Sequence, residues 1–447
     1  MFLLFMPRLA ASSPYLPYSF YCGCGWSQKV ARLAIDKVGE IVILFNNAFM
    51  RRCILVISAV FPPEQVTSAY LNYDLAKSLS KDYRVVVLRP SPTRPIGAKF
   101  QSVWSDPNFE TILINSYTHP MSDMVGRFKE ARDFSKKSVK YLRAHKDEID
   151  FVYNDGWQLF GLNIIAKACV KYRIPYMVPI QDIYPECLLT KLHIPNFAKK
   201  IIKCILLPID KYYQKHACLV RTISDEMADY LSKTRGVERS KYLVVNNWQN
   251  DDDFMNLPEA KSGDKIVFEY VGSINVHANV DLMIKAFAEA NIPNSELRIY
   301  GGGNQKENCQ QLVKDLGLVN VSFGFVLRNE IPAVQSDASV LIMALPKGNG
   351  NFCLPSKLTS YLLSGRPVLA SVDQESSTKR ILEGGGCGKT VVPDDKEALI
   401  NGFKYFAEMN SEERAKMGEN SRDYALTHLT REVNLSLVIN SIKEILQ

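Results

Sequence analysis

From Cys53 onward the chain repeats one alternation: a short run of consecutive apolar residues, a polar turn, then a longer stretch with apolar residues at every third or fourth position. Short apolar runs bounded by turns read as strands buried on both faces, and the helical spacing reads as the segments that cover them. "CILVISAV" predicts a strand, "SAYLNYDLAKSLSKD" a helix, and "YRVVVLRP" and "ETILIN" two more strands. A helix over "RFKEARDFSKKSVKYLRAHK", the strand "FVYND", the helix "QLFGLNIIAKACVKYR" and the strand "PYMVPIQD" continue the series, which "ACLVRTIS" and "YLVVNNW" close. Strands separated by amphipathic helices predict a parallel sheet with crossover helices on both faces.

The polar stretch "QNDDDFMNLPEAKSGDK" breaks the pattern, which then restarts. "KIVFEYVGS", "ELRIYGGG", "VSFGFV", "ASVLIMAL", "RPVLASV" and "KTVVP" predict a second set of strands; "VDLMIKAFAEA" and "KENCQQLVKDLG" are helices among them. The fold class is therefore α/β, with two Rossmann-like doubly wound domains facing a cleft. Residues 50–250 form the first domain, 251–264 the linker, 265–425 the second domain and 426–447 a terminal helix placed to pack back on the first. Residues 1–49 fit nothing that follows. Met50 opens an ordinary first strand, so the preceding segment reads as an upstream translation or as an N-terminal arm.

Length supports the division, because 447 residues are about two to three times a typical domain. A net charge of +7, without an arginine-rich tract, points to anionic small molecules or a membrane surface and away from nucleic acid. The ten cysteines lack paired Cys-x-x-Cys spacing, which predicts reduced thiols in the cytoplasm and no metal framework. No apolar run reaches the roughly 18 to 20 residues that a bilayer span requires.

Candidate chemistry concentrates in the second half. "YVGSIN" ends a strand at Gly272 and Ser273, where backbone N–H groups can approach a phosphate. In "LPSKLTSYL", Pro355 suits a first helical turn and leaves Ser356 and Lys357 at the positive end of the helix, as diphosphate ligands or as a solvated turn. Asp251 to Asp253 read as a solvated interdomain loop in preference to a metal site. In "FAKKIIKCILLP", Phe197, Ile201, Ile202, Cys204 and Ile205 share one helical face and Lys199, Lys200 and Lys203 the other. Phe197 to Leu207 is therefore a candidate contact with anionic membrane, or else a core helix with a solvated lysine face. Neither half has a full G-x-G-x-x-G after its first strand, which disfavours an oxidoreductase.

"VGSINVHANVDLMIKAF", "LRIYGGG", "PSKLTSYLLSGRPVLAS" and "ESSTKRILEGGGCGKTVVP" resemble the donor half of retaining family 4 glycosyltransferases of the GT-B fold. "VPIQDIYPE", "RTISDEMADYL" and "VVNNWQNDDDF" resemble the subset that builds capsule, O-antigen and colanic acid. The resemblance spans Met50 to Gln447 and implies a retaining, metal-independent, hexosyltransferase-type enzyme with no cofactor beyond its donor substrate. It implies transfer from a nucleotide diphosphate sugar to a polyprenyl-diphosphate-linked oligosaccharide, at the inner face of a bacterial membrane. In the donor half four positions depart from the pattern: Phe352 and Ser360 stand where relatives carry a glutamate pair, and Ser273 and Ala278 where relatives carry an arginine and a lysine.

Lys357 is the candidate replacement for the lost charge, ahead of His277 and Arg366, and backbone amides of Phe352 to Leu354 are candidates for contacting the sugar. Glu375 and Ser376 fall at a ribose position or on a surface loop, and Val326 pairs the base through its main chain. In the first half Asp182 is the catalytic candidate, orienting acceptor or donor, with a structural aspartate as the alternative. Gln181 replaces a histidine common in relatives, and Glu64, Gln65 and Ser68 shape the acceptor side. Two rivals remain, a sugar-nucleotide epimerase of the same fold and a catalytically weak GT-B subunit acting in binding or assembly.

Overall fold

A computed structural model describes residues 51–447, apart from 65, 95–99, 101–103, 120–122, 191, 193, 249, 258–264 and 349–353 and the side chains of Thr67, Arg328 and Ser356. The N-terminal segment 1–49 and the candidates Gln65 and Phe352 lie outside the described residues, as does the side chain of Ser356.

The first domain runs β1 (Cys53–Ser58), α1 (Thr67–Leu79), β2 (Arg84–Arg89), β3 (Glu110–Leu113), α2 (Met124–Ala144), β4 (Phe151–Asp155), α3 (Phe160–Tyr172), β5 (Tyr176–Pro179), α4 (Glu186–Thr190), α5 (Asn196–His216), β6 (Leu219–Thr222), α6 (Asp225–Arg235) and β7 (Tyr242–Val244). All its strand pairs are parallel, in the order β3-β2-β1-β4-β5-β6-β7. Both faces are covered. Cys53, Leu55 and Ile57 of β1 pack with Phe134, Leu162 and Met227 from α2, α3 and α6. Ile54 and Val56 pack on the other face against Leu71 and Leu75 of α1. A strand buried on both sides has no polar alternation, which is why continuous apolar runs marked these strands.

The second domain runs β8 (Ile266–Val271), α7 (Val280–Ala290), β9 (Ser295–Tyr300), α8 (Lys306–Asp315), β10 (Val321–Gly324), α9 (Ile331–Asp337), β11 (Val340–Ala344), α10 (Ser356–Leu363), β12 (Val368–Ser371), α11 (Ser377–Gly384), β13 (Gly388–Val391) and α12 (Lys396–Glu408). Its parallel order is β10-β9-β8-β11-β12-β13. The chain ends in α13 (Ser411–His428) and α14 (Arg431–Leu446). α14 returns to the first domain, placing Leu435, Val438, Ile442 and Leu446 against the β1 face that α1 also covers.

Two sequence expectations need correction. Asp251 is not solvated: it is buried and accepts from the Arg431 backbone N–H at 2.6 Å, whereas Asp252 is exposed, as expected, and receives the Arg431 guanidinium at 2.8 and 2.9 Å. The linker is thereby tied to the start of α14. The segment Phe197 to Leu207 is the first half of α5, which continues through Pro208 on its exposed side. Its exposed stripe is Phe197, Ile201, Cys204 and Ile205; Ile202 is partly buried and Lys203 pairs with Glu186 at 3.1 Å.

The C-terminal edges of the two sheets face each other. Glu226, just past β6, accepts from the Ser377 hydroxyl at the start of α11 and meets Arg380 at 2.6 Å.

Candidate functional site

The second-domain edge is built on closely packed glycine turns. β8 ends at Val271, and Gly272 follows with φ +150°, its N–H donating to the Tyr300 carbonyl at 2.9 Å. A Cβ on Gly301 would lie 1.9 Å from the Gly272 oxygen, and one on Gly303 would lie 2.1 Å from the Ile274 oxygen. Only glycine lets these two loops run so close.

Lys357, at the second residue of α10, lies flush on Gly272, where a Cβ would meet its Cε at 2.2 Å. Its Nζ donates to the Tyr270 hydroxyl and stands 4.1 Å from the Tyr270 ring centroid. Among the described residues no carboxylate forms an ion pair with it. Burial without a compensating negative charge therefore lowers its ammonium pKa to about 8.

Pro355 precedes α10 with φ −61°, so Lys357 springs from the first turn of the helix, at the positive end of its dipole. Tyr361 fixes the helix there: its hydroxyl accepts from the Val271 N–H at 2.9 Å and lies 3.2 Å from the Val271 and Ile342 carbonyls. The approach to α10 is tied down as well. Gly348 N–H donates to Asp373 at 2.9 and 3.0 Å, and Lys347 N–H donates to Asp394 at 3.0 Å.

The other donor-side candidates divide. Ser273 is exposed beside Gly272, its carbonyl accepting from Tyr270 at 2.7 Å and its hydroxyl accepting from Asn275 at 3.1 Å. Val326 and Leu354 are half-buried against the cluster that contains Leu358 and Tyr361. Ser360 is buried, donating to the Lys357 carbonyl at 2.9 Å and facing Gln335 of α9 at 3.4 Å, so its hydroxyl is engaged between helices. Ser376 caps α11, accepting from Lys379 N–H at 3.3 Å and donating to the Asp373 carbonyl. Glu375 is exposed beside it, while Glu226 already brings a carboxylate to the start of α11.

In the first domain Asp182 is exposed and Gln181 half-buried beyond the end of β5, on a segment anchored by Glu186. Arg235, with no exposed side-chain surface, reaches Glu186 at 2.7 Å, Asp210 at 2.6 Å and the Tyr184 carbonyl at 2.7 Å. Burial pushes the Glu186 carboxyl up, but the hydrogen bonds and charge of Arg235 outweigh it and hold the pKa down to about 2. Ser68 is half-buried near the start of α1. Glu64 is buried and accepts from the Thr93 N–H at 2.6 Å and its hydroxyl at 3.2 Å, so it organises the loop after β2.

Sequence reasoning missed Asp155 and Tyr270. Asp155 closes β4 opposite Ser58, held by Asn72, and burial pushes its carboxyl to about 6 against the pull of Asn72 and Arg221. Its signal was available in "FVYND", a carboxylate at the C-terminal end of an apolar strand. Tyr270 gave none, because a tyrosine inside a strand is ordinary core.

Residues 252–424 match the family described as glycosyl transferases group 1. No curated protein matches the chain. Among solved structures, Alr3699/HepE of Anabaena in complex with UDP is 14% identical with a TM-score of 0.60, over 88% of this chain and 100% of that one. A sucrose-phosphate synthase of Thermosynechococcus elongatus is 16% identical with a TM-score of 0.62, over 88% and 99%. A glycosyltransferase of Rickettsia africae is 14% identical with a TM-score of 0.61, over 89% and 99%. The fold is GT-B.

Proposed function

We propose that this protein is a GT-B glycosyltransferase that takes a hexose from a nucleoside diphosphate sugar and transfers it, with retention, to a polyprenyl-diphosphate-linked oligosaccharide in bacterial surface-polysaccharide synthesis. The observation that carries the donor assignment is the contact of Lys357, in the first turn of α10, with the Gly272 turn, where no carboxylate among the described residues neutralises it. The group 1 match over 252–424 contains that whole assembly, and the Anabaena neighbour was solved with UDP and with UDP-glucose.

On this reading the diphosphate lies over Gly272, with its charge met by Lys357 and the positive end of α10 and without a metal or other cofactor. The bond from the anomeric carbon to the phosphate oxygen breaks as the acceptor oxygen bonds on the same face, and the leaving diphosphate draws the acceptor proton. Such chemistry asks the protein for positioning and for stabilisation of leaving-group charge. Asp182 and Asp155, beyond β5 and at the end of β4, are the carboxylates we assign to orienting the acceptor hydroxyl.

The acceptor's lipid supports a seat on the inner face of the cell membrane. Phe197, Ile201 and Ile205 are 68%, 56% and 64% exposed on one stripe of α5, with Lys200 beside them. That arrangement suits an anionic bilayer surface. No helix of the described residues is long and apolar enough to cross a membrane.

Thermal shift with UDP and nucleotide sugars tests the donor assignment, since a ligand at 100 times its Kd stabilises by about 2.7 kcal/mol. Absence of a shift with every nucleotide and nucleotide sugar removes it. The engaged Ser360 hydroxyl, where relatives place a glutamate, favours one second reading: a nucleotide-sugar-binding subunit without turnover. Binding without product from any lipid-linked acceptor pool supports that alternative.

A further inference from the structure

At the N-terminal edge of the second sheet, opposite the Gly272 turn, a cavity of about 770 Å³ opens between the linker, the turn from α10 into β12 and one face of α13. Met255 and Leu257 form an apolar wall, and Ala415, Gly418, Glu419 and Arg422 line it at helical spacing from α13. Gly365 turns with φ +68°, and a Cβ on Gly418 would lie 2.3 Å from its oxygen, so α13 comes directly against the turn that carries Arg366. Arg366 precedes β12, whereas Gly272 follows β8; the two strands run in the same direction through β11, so Arg366 stays away from the Gly272 turn.

Both cations of the cavity lack a counter-ion. Arg366 donates through Nη2 to the Ser336 carbonyl, and its Nε is buried without a hydrogen-bond partner. Arg422 donates only to carbonyls, of Leu363 at the end of α10 and of Phe254 at 2.9 Å and Met255 at 3.2 Å in the linker. Among the described residues neither guanidinium forms an ion pair. Burial lowers the pKa of both, opposed at Arg366 by the charge of Asp337, which Arg298 already meets at 3.0 Å. Glu419 brings a carboxylate to the rim, but it is exposed and paired with Lys416 at 3.0 Å. Buried charges are ordinarily paired, so two uncompensated guanidiniums on one cavity present a positive field for a ligand to meet.

We propose that this cavity binds a small phosphorylated metabolite. A phosphate monoester carries about two negative charges at neutral pH and offers three acceptor oxygens, which suits two guanidiniums on neighbouring walls; a single carboxylate suits one. The volume is that of a small-molecule site, leaving the Met255 and Leu257 wall for the body of the ligand. One wall is the linker and another is α13, which runs on to α14 on the first domain. A ligand here therefore ties together the two segments by which the chain crosses between domains. Binding is independent of the glycosyltransferase reading, which concerns the opposite edge of the sheet.

Calorimetric titration of inorganic phosphate, glycerol 3-phosphate and glucose 6-phosphate into the full chain tests the site, with glucose and succinate as controls and with and without saturating UDP. At least one phosphate compound binds, glucose and succinate bind far more weakly, and UDP does not displace it. Arg366→Gln and Ala415→Glu each weaken binding about tenfold or more, Glu419→Gln tightens it, and Lys357→Met leaves it unchanged. Ala415 is exposed on α13, so Ala415→Glu carries the comparison should Arg366→Gln fail to fold by circular dichroism. If no phosphate compound binds, if succinate binds equally well, or if affinity survives undiminished in the folded variants, the site is overturned. Displacement by UDP or loss of binding in Lys357→Met puts the phosphate at the Gly272 turn and overturns it too. If phosphate binds as described and UDP does not bind, the cavity site stands and the donor assignment fails.

Discussion

Lys357→Met should make the ligand-free protein more stable and the ligand-bound protein weaker, a pairing that a purely structural lysine does not produce. Burial lowers the Lys357 pKa from 10.5 to about 8. At about 1.4 kcal/mol per pK unit, carrying the charge into the fold costs up to about 3 kcal/mol at neutral pH. The side chain is half-buried and faces the Tyr270 ring, so partial solvation and the cation–π contact reduce the figure to about 1–2 kcal/mol.

The sign follows from proton binding. Between about 8 and 10.5 the unfolded chain holds the Lys357 proton and the folded chain has released it, so wild-type stability rises with pH across that window. Lys357→Met removes both the penalty and its pH dependence, raising the Tm of the ligand-free protein by a few degrees at neutral pH. The same change deletes a charge-assisted contact worth about 1.5–3 kcal/mol, weakening UDP about 10- to 150-fold. In the wild type, UDP affinity falls as pH rises beyond about 8, because binding must then take up a proton. Calorimetry across that range, in buffers of different ionisation enthalpy, reads the uptake directly. An unchanged UDP affinity in Lys357→Met, or a lowered Tm, refutes the reasoning.

Other perturbations probe the surrounding frame. Glu269, buried in β8 with neither oxygen hydrogen-bonded, is pushed up by burial to about 8, so wild-type stability falls as pH rises from 4.5 toward 8; Glu269→Gln should flatten that fall in urea unfolding. Arg235→Ala leaves the carboxylates of Glu186 and Asp210 without their cation and should cost about 3–5 kcal/mol in denaturant midpoint analysis. The Glu186 contribution in the wild type is present above 4.5 and lost as pH falls toward about 2, visible as acid sensitivity that Arg235→Ala lacks. Arg380→Glu places like charges against Glu226 and Asp225 and should broaden interdomain distances between spin labels, with the swap Glu226→Arg/Arg380→Glu narrowing them again. Phe197→Asp with Ile201→Asp should abolish co-sedimentation with anionic vesicles while leaving UDP affinity unchanged.

The fold was legible because both faces of each sheet are buried. "FVYND" coincides with β4 and "VDLMIKAFAEA" with α7, since uninterrupted apolar runs and helical spacing leave little room for another reading. Local backbone geometry was legible where glycine and proline speak for themselves, as at Gly272 and Pro355. What the linear chain concealed were choices made by tertiary neighbours. Lys357 turns onto Tyr270 instead of standing in solvent, and Arg94 meets Trp157 because β2 and β4 flank β1. Asp251 is consumed by Arg431, a residue 180 positions away.

The same neighbours show how the proposed donor site can lack the cations expected from the resemblance and still present a positive charge. Ser273 and Ala278 occupy the places where the resemblance puts an arginine and a lysine, and the structure makes Ala278 buried and Ser273 a small exposed side chain, so neither position brings a charge to the turn. Lys357 brings the charge to the same turn from the opposite side, on a helix that Tyr361 fastens to Val271 of β8 itself. The cation thus answers to the β11–α10 loop, whose approach is tied to Asp373 and Asp394 at the ends of other strands. A ligand that engages Lys357 therefore acts on the segment linking β11, β12 and β13. The α11 start that Glu226 touches also follows β12, so the donor site proposed above and the contact between the domains share one structural support.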